Sequence, residues 1–157
     1  MENMNDRQLL RKVNKNDEEL LFIWANDPAV RRWSFNKDPI TLDEHKNWFT
    51  KILNDENVLF WIFEVESTPQ GLVRLHKNNN EVTLNYLISP ESRGKGLANK
   101  MLILTMPEIR KYWANVRILA YTLPENIASM KSLEKAGFYL YSAGNGKNCY
   151  VFNRDKK

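Results

Sequence analysis

The sequence predicts one α/β domain, of the α+β type, across residues 1–157. A chain of this length buries a single hydrophobic core without disulfides or a structural metal. Hydrophobic residues make up 43% and charged residues 27% of the chain, which is the balance of a globular protein rather than a disordered one. Segments with strand and helix periodicity follow the order β-α-α-β-β-β-α-β-α-β-β, without an internal repeat.

The N-terminal half predicts two amphipathic helices followed by three consecutive strands. Asn16 or Asp17 is expected to cap the first helix, and Asn-Asp-Pro at 26–28 to end it. Thr41 and Glu44 have the spacing of a capping box at the start of the second helix. The elements expected here are a strand at 8–13, helices at 17–25 and 41–53, strands at 58–65, 72–75 and 82–88, and turns at 68–71 and 78–80.

The C-terminal half predicts two helices, a strand between them and a final hairpin. Pro107 lacks a backbone donor and is expected to kink or restart the first of these helices. Pro124 and Glu125 are expected to begin the second helix, and Gly137 to end it in a left-handed conformation. The strands expected here are 116–121, 138–141 and 148–152, the last two joined by a turn at 144–146.

Composition and charge narrow the setting in which the chain is expected to work. The single Cys149 forms no internal disulfide and no Cys/His spacing suggests a metal site, so we expect a cytoplasmic protein without a metal. The polar segment 1–6 lacks the pattern of a signal peptide, and no apolar run reaches the ~18 residues of a membrane span. A net charge of +4 without long basic blocks favours small anionic ligands over nucleic acid or a membrane.

The run 93–98, Arg-Gly-Lys-Gly-Leu-Ala, predicts an anion cradle at the head of a helix. Without side chains at Gly94 and Gly96, successive backbone N–H groups can point at an anion, and the helix dipole adds about half a positive charge. Arg93 and Lys95 supply countercharge. A solvated glycine turn is the alternative interpretation. The Walker pattern is excluded because no Lys-Ser or Lys-Thr follows the last glycine, and a dinucleotide fingerprint would require three glycines.

Two motifs give the chain a resemblance to the GCN5-related N-acetyltransferases (GNAT). Arg93, Gly96 and Ala98 match the fixed positions of the family's Arg/Gln-x-x-Gly-x-Gly/Ala signature. The Asn-led stretch 126–138, which ends Glu-Lys-x-Gly-Phe, resembles its second conserved block. The resemblance, which extends to the element order, implies a mixed central sheet. It also implies a V-shaped splay beside the strand at 116–121 that holds acetyl-CoA as the acetyl donor.

The resemblance also implies direct transfer of the acetyl group to an unprotonated amine. A backbone N–H near Leu87 would stabilise the oxyanion, and an acid would protonate the departing CoA thiolate. The family's tyrosine for that proton lies seven residues after the Asn, where this chain has Leu133. Ser129, Ser132, Tyr121 or water are the alternatives for this proton.

No motif marks the base that takes the proton of the amine. Glu81 directly, or Tyr86 and Asn85 through a water, are the candidates, and a role in the strand surface or packing is the alternative for each. The catalytic candidates are therefore Glu81, Tyr86 and Ser129. The residues that the resemblance assigns to acetyl-CoA are Leu87, Ile88, Ser89, Arg93, Gly94, Lys95, Gly96, Leu97, Ala98, Asn126, Ser129, Lys131 and Lys135.

Basic and aromatic residues near the N-terminus predict the acceptor site. Arg31 and Trp33 lie in a predicted link, so helical core packing does not account for them. The patterns at 26–34, 44–49 and 71–74 resemble a subgroup that acetylates nucleotide-linked amino sugars, as in the pseudaminic acid pathway. This resemblance implies an anionic nucleotide sugar as the amine acceptor. A homodimer in which the C-terminal strand takes part is also compatible with the resemblance. The expected acceptor-binding residues are Arg31, Trp33, His45 and Arg74, with a hydrogen-bonded helix-surface role as the alternative for His45.

Two other functions remain open at this point. Ribosomal-protein or peptide N-terminal acetyltransferases share the second conserved block. A non-catalytic module that senses acetyl-CoA or docks nucleic acid is suggested by the missing tyrosine and by the pI of about 9.1.

Overall fold

The computed structural model describes residues 7–152, so the segment 1–6, where no signal peptide is expected, lies outside the described residues. The elements in chain order are β1 (Gln8–Lys12), α1 (Glu18–Ala25), α2 (Pro28–Arg32), α3 (Leu42–Leu53), β2 (Val58–Val65), β3 (Thr68–Asn78), β4 (Glu81–Ile88), α4 (Leu97–Tyr112), β5 (Arg117–Thr122), α5 (Ile127–Lys135), β6 (Phe138–Gly144) and β7 (Lys147–Phe152).

The strands form one mixed sheet in the order β1-β2-β3-β4-β5-β7-β6. Neighbouring strands are antiparallel except for β4 and β5, which are parallel. Their ladder joins Glu81–Leu84 to Arg117–Ala120 only, although β4 continues to Ile88 and β5 to Thr122. The carboxyl ends of the two strands therefore separate, which confirms the mixed sheet and V-shaped splay expected from the sequence.

Helices cover both faces of the sheet, and this explains why β2 is apolar along most of its length. On the first face, α4 and α5 pack on alternate residues of the central strands, such as Val73 and Leu75 of β3. On the second face, α1 and α3 pack on the intervening residues, such as Phe60 and Leu72. Within residues 7–152, no helix is both long and apolar enough to cross a membrane.

The start of α1 and the chain after it differ from the sequence-based expectation. Asp17, one of the two predicted residues, occupies the N-cap position of α1, but its side chain makes no capping hydrogen bond there. Asn14 caps the short 3₁₀ turn before the helix and forms a capping box with Asp17. After α1 the chain enters another helix, α2, because the Asp27 carboxylate accepts hydrogen bonds from the first amides and Pro28 fits the first helical position. The Asn-Asp-Pro sequence thus ends one helix and begins the next.

The turn between β2 and β3 is shorter than predicted. Glu66 and Ser67 both have positive φ values, 53° and 66°, and form a two-residue hairpin loop. Val65 pairs with Thr68 across this loop, so Pro69 lies in the strand and not in the turn.

Two prolines have less effect on the helices than the sequence indicates. Helix α4 continues through Pro107. The carbonyl of Ile103 loses the partner that the missing amide would supply, yet the helix does not restart. Helix α5 starts after Pro124, with Asn126 as its cap, because the Asn126 side chain accepts the amide of Ser129 at 3.2 Å.

Candidate functional site

The separated ends of β4 and β5 expose unpaired backbone groups. The amide of Ser89 donates to the carbonyl of Gln70 at 2.8 Å, so Ser89 and, two residues earlier, Leu87 direct their amides towards β3. The amides of Tyr86 and Ile88 therefore face the opposite edge, where β5 no longer pairs. Of the predicted backbone contacts at 87–89, only the amide of Ile88 is directed into the gap. The amide of Tyr86 also faces the gap, and the sequence had not identified it.

Two buried serine side chains that follow β4 form hydrogen bonds that hold the turn before the glycine run. Ser89 and Ser92 are 2% and 3% exposed, and the Ser89 hydroxyl donates to that of Ser92 at 2.8 Å. The Ser92 hydroxyl in turn donates to the side-chain carbonyl of Gln70. Ser89 thus positions the turn that precedes the glycine run and leaves no hydroxyl for a ligand.

The glycine run 93–98 has the geometry of an anion cradle. Gly94 and Gly96 have φ values of 78° and 72°, in the left-handed region that favours glycine. No atom lies within 4 Å of where a Cβ would stand at either residue. Gly96 is the N-cap of α4 and offers no side-chain acceptor to the first amides of the helix. The first turn of α4 carries no acidic residue. The positive end of α4 is consequently available to an anionic ligand.

Arg93 connects the cradle to the N-terminal helices. Its guanidinium lies 2.9 Å from the carboxylate of Asp27, which also accepts hydrogen bonds from the amides of Ala29 and Val30 at the start of α2. The sequence suggested mobile countercharge at Arg93 and Lys95, but the structure fixes Arg93 and leaves Lys95 exposed.

Two buried polar atoms have no hydrogen-bond partner among the described residues. They are the side-chain nitrogen Nδ2 of Asn99, in the first turn of α4, and the hydroxyl of Thr122, which pairs with β7 beyond the ladder with β4. Because buried polar groups are nearly always hydrogen-bonded, a water or a ligand is expected to supply the partners. Sequence reasoning missed both, although Asn99 directly follows the glycine run.

Tyr86 and Ser129, both predicted catalytic residues, are in contact. Their hydroxyl oxygens are 2.7 Å apart, which joins β4 to α5. Burial raises the pKa of Tyr86 above its usual value near 10, so the phenol stays neutral. Leu133, at the family's tyrosine position, is 1% exposed and lies in the same apolar cluster as Tyr86. A neutral, buried phenol is suited to hold a proton and not to take one, which favours an acid over the base predicted for Tyr86.

The other sequence candidates on β4 and α5 lie farther from the gap. Glu81 is exposed, pairs with Arg117 at 3.4 Å, and precedes the first unpaired residue, Asn85, by four positions, or roughly 13 Å of strand. Lys131 and Lys135 are exposed on α5.

Arg31 holds the loop that follows α2. Its guanidinium donates to the carbonyls of Ala25, Asn36 and Asp38 at 2.8, 2.9 and 3.1 Å. Most of its donors are therefore occupied within the protein, and the predicted acceptor-binding role is replaced by a positioning one.

His45 lies in the interior and not at a ligand-binding surface. It is 2% exposed, and its Nε2 lies 3.0 Å from the carbonyl of Glu18. The imidazole ring is 5.3 Å from the ring of Phe22 and 5.9 Å from that of Phe49. The prediction of acceptor contact at His45 fails because α1 and α3 enclose the side chain.

Trp33, in contrast, lines a shallow cavity of about 450 Å³ that is open to solvent, beyond the carboxyl end of β5. The loop after α2 forms one wall, and the chain between β5 and α5 together with the β6–β7 turn forms the other. Sequence reasoning missed this second wall, since Pro124 and Glu125 were assigned to a helix. The lining residues are Arg32, Trp33, Lys37, Leu123, Pro124, Glu125 and Gly146.

Arg74 lies on the sheet face that carries α3. Its guanidinium carbon is 5.0 Å from the ring centre of Trp48 and 5.7 Å from that of Phe60. Its Nε donates to Nε2 of His76 at 2.8 Å. Burial lowers the pKa of Arg74 to about 10, so the side chain remains a cation at neutral pH.

Replacement of Arg31 by methionine is expected to destabilise the protein by about 2 kcal/mol, because three carbonyls lose a charged donor. Arg32→Met is the matched control. The neighbouring Arg32 is exposed and lies only over the Trp33 ring, at 5.0 Å, so its loss should change the free energy of unfolding by less than about 1 kcal/mol. Urea unfolding monitored by circular dichroism measures both values. Equal destabilisation by the two variants would contradict the positioning role of Arg31.

Comparison of the sequence with known proteins gives a family and a distant relative. A protein-family model described as an acetyltransferase (GNAT) domain matches residues 7–139. An uncharacterised protein of Methanocaldococcus jannaschii is 26% identical over 140 residues, which cover 83% of this chain and 28% of that protein. The chain thus spans little more than a quarter of the length of this curated relative.

Comparison of the structure with solved structures gives the same fold. Spermidine N-acetyltransferase from Vibrio cholerae, in complex with CoA and spermine, has a TM-score of 0.81 and 19% identity and matches over 94% of each chain. The aminoglycoside acetyltransferase AAC(6′)-Ib, in complex with paromomycin and acetyl-CoA, has a TM-score of 0.80 and 20% identity. That match covers 96% of this chain and 95% of the other.

Proposed function

Since the chain belongs to the acetyltransferase (GNAT) domain family, we propose that it transfers an acetyl group from acetyl-CoA to the primary amine of a nucleotide-linked amino sugar. One observation carries the choice of donor. The unpaired edge of β4 ends at Ile88, and the chain then leads within eight residues to the open glycines Gly94 and Gly96 at the start of α4. An extended chain ending in a pyrophosphate fits this sequence of groups.

The residues present fit acetyl-CoA along its length. The amides of Tyr86 and Ile88 can pair with its amide-containing arm as an added strand would. The N-terminus of α4 with Lys95 can hold its pyrophosphate, and Lys131 and Lys135 can meet its adenosine phosphates. When bound, acetyl-CoA supplies an activated acetyl thioester.

The proton chemistry falls to two side chains on opposite faces of β4. The Tyr86 hydroxyl, kept neutral by burial and bonded to Ser129, holds the proton that a departing thiolate requires. Asn85, exposed at the first unpaired position of β4, can hold a water through which the amine loses its proton. The amide of Tyr86 or Ile88 can stabilise the oxyanion of the transition state.

The cavity beside Trp33 supports the choice of acceptor. An indole ring with the cations Arg32 and Lys37 suits a flat base that carries phosphates. The structurally similar enzymes named above were solved with amine ligands, spermine in one and paromomycin in the other. The cavity of about 450 Å³ beside Trp33 can hold an amine acceptor similar in size to these ligands.

An acceptor screen tests the proposal. Release of CoA thiol is measured with UDP- and dTDP-linked amino sugars, an aminoglycoside, spermidine and peptides with free N-termini, and we expect the nucleotide sugars to react best. Reaction with peptides but not sugars would identify a peptide N-terminal acetyltransferase instead. Binding of CoA in a calorimeter without any acetylated product would identify a non-catalytic module.

Trp33→Ala is expected to raise KM for the nucleotide sugar about tenfold, because the ring on which the base stacks is removed. The dissociation constant for CoA should not change. Phe35→Ala is the control, since Phe35 is an aromatic residue of the same loop, is 56% exposed and does not line the cavity. A similar rise in KM for both variants would contradict the role of Trp33.

A further inference from the structure

Arg74 is a partly buried cation without an acidic partner. Arg11, Arg93 and Arg117 each lie within 3.4 Å of a carboxylate. Among residues 7–152, no carboxylate lies within 4.0 Å of the Arg74 guanidinium, and its only hydrogen bond is the one from Nε to His76. Its two terminal nitrogens, Nη1 and Nη2, make no hydrogen bond to any residue of this described range.

The guanidinium is only partly removed from water. It lies against the rings of Trp48 and Phe60, while Nη1 and Nη2 keep contact with solvent. The bidentate edge is therefore open to an oxyanion, which a guanidinium binds through two parallel hydrogen bonds.

The position of Arg74 connects it to the gap between β4 and β5. Arg74 is the direct cross-strand partner of Asn85, which is the first residue of β4 beyond the ladder with β5. Because paired residues point to the same face, the guanidinium and the Asn85 side chain share the face that carries α3. Arg74 therefore lies one strand away from the gap, beside the Asn85 side chain that borders it on this face.

We propose that Arg74 is an anion-binding subsite on the face of the sheet that carries α3, beside the gap between β4 and β5. It takes a phosphate or carboxylate carried by the amine acceptor. This inference rests on the proposed function, which supplies the amine. Trp48 and Phe60 form the apolar walls of the subsite, and His76 holds the guanidinium through Nε. The two terminal nitrogens then face the oxyanion as a fork, so both hydrogen bonds form at once.

Calorimetric titration of paired ligands tests the subsite. Uridine diphosphate against uridine probes phosphate, and glucosaminuronic acid against glucosamine probes carboxylate. CoA at saturating concentration fills the cradle, so that phosphate cannot bind there. We expect wild-type protein to bind the charged member of at least one pair more than 30-fold tighter than its neutral partner.

Variants of Arg74 give the decisive comparison. Arg74→Met, of similar length but apolar, should lower the preference for the charged ligand at least tenfold, to what Arg32 and Lys37 alone supply. Arg74→Lys should lower it about threefold, because an ammonium offers a point charge in place of a fork. An undiminished preference in Arg74→Met, or no preference in wild-type protein, overturns the inference. If Arg74→Met does not fold, an undiminished preference in Arg74→Lys overturns it.

The same titrations separate this inference from the proposed function. Wild-type protein is first titrated with CoA alone, and then with both ligand pairs in the presence and absence of CoA. No binding of CoA would contradict the proposed donor. Binding of CoA without an Arg74-dependent preference for anions would contradict the subsite alone.

Discussion

Replacement of Gly96 by aspartate is expected to lower the affinity for CoA at least 100-fold, equivalent to about 2.7 kcal/mol, while the protein remains folded. Aspartate tolerates the left-handed backbone, φ 72°, better than most residues. Space around the residue is open, since no atom lies within 4 Å of the new Cβ. The carboxylate would satisfy the positive end of α4 from within the protein and would repel the pyrophosphate that otherwise binds there.

Gly146→Asp is the matched control for this prediction. Gly146 has a φ of 78° and equally open surroundings, but it lies in the β6–β7 turn. Calorimetric titration with CoA and urea unfolding are measured for both variants. Similar unfolding free energies with a loss of CoA affinity only in Gly96→Asp support the cradle, whereas unchanged affinity in Gly96→Asp would contradict it.

The fold was predictable from the sequence wherever local periodicity and tertiary packing agree. The capping box at Thr41 and Glu44 and the apolar run of β2 are decided by residues close in the chain, and the structure confirms both. Helix α2 was missed because Asn-Asp-Pro ends one helix and starts another, and local sequence does not distinguish these outcomes. Pro107 was judged from the lost hydrogen bond alone, whereas the structure has one helix that continues through it.

The candidate site was predictable where a motif carries its own geometry. The glycine run fixes a left-handed backbone at Gly94 and Gly96 ahead of α4, and anion binding there stays a prediction. Side chains were harder to assign, because a charge or ring in the sequence does not reveal what already surrounds it. Arg31 is occupied by three carbonyls and His45 is enclosed by helices, whereas Arg74 has a similar charge but no acidic partner within the described chain.

Strand alternation explains a further error at β4. The contacts predicted at 87–89 treated successive residues as equivalent, but consecutive amides point to opposite edges of a strand. Once the amide of Ser89 is bonded to β3, every second amide is committed in the same way. Which amides of β4 remain for a ligand therefore depends on the neighbouring strand at each edge, and the sequence of β4 alone does not reveal it.

Tyr86→Phe is expected to lower kcat about 10- to 100-fold and to leave the dissociation constant of CoA unchanged. The variant removes one proton-holding oxygen and retains the ring, so packing against Leu133 persists. Because burial raises the pKa of Tyr86 above 10, its proton is retained throughout the neutral range, and wild-type kcat should show no decline on the alkaline side below pH 10 that is due to this group.

The control for Tyr86→Phe is Tyr121→Phe, which changes the other tyrosine considered for this proton. Tyr121 lies near the end of β5, one residue beyond the ladder with β4, and its neighbour across the sheet is Cys149 on β7. Initial rates and CoA titrations are measured for both variants. A kcat for Tyr86→Phe within twofold of wild type would exclude the phenol as the proton donor, and a large fall only in Tyr121→Phe would assign the proton to β5. A fall only in Tyr86→Phe would mean that a strand residue supplies the proton, since Leu133, at the position where the resemblance implies a tyrosine, has no proton to give.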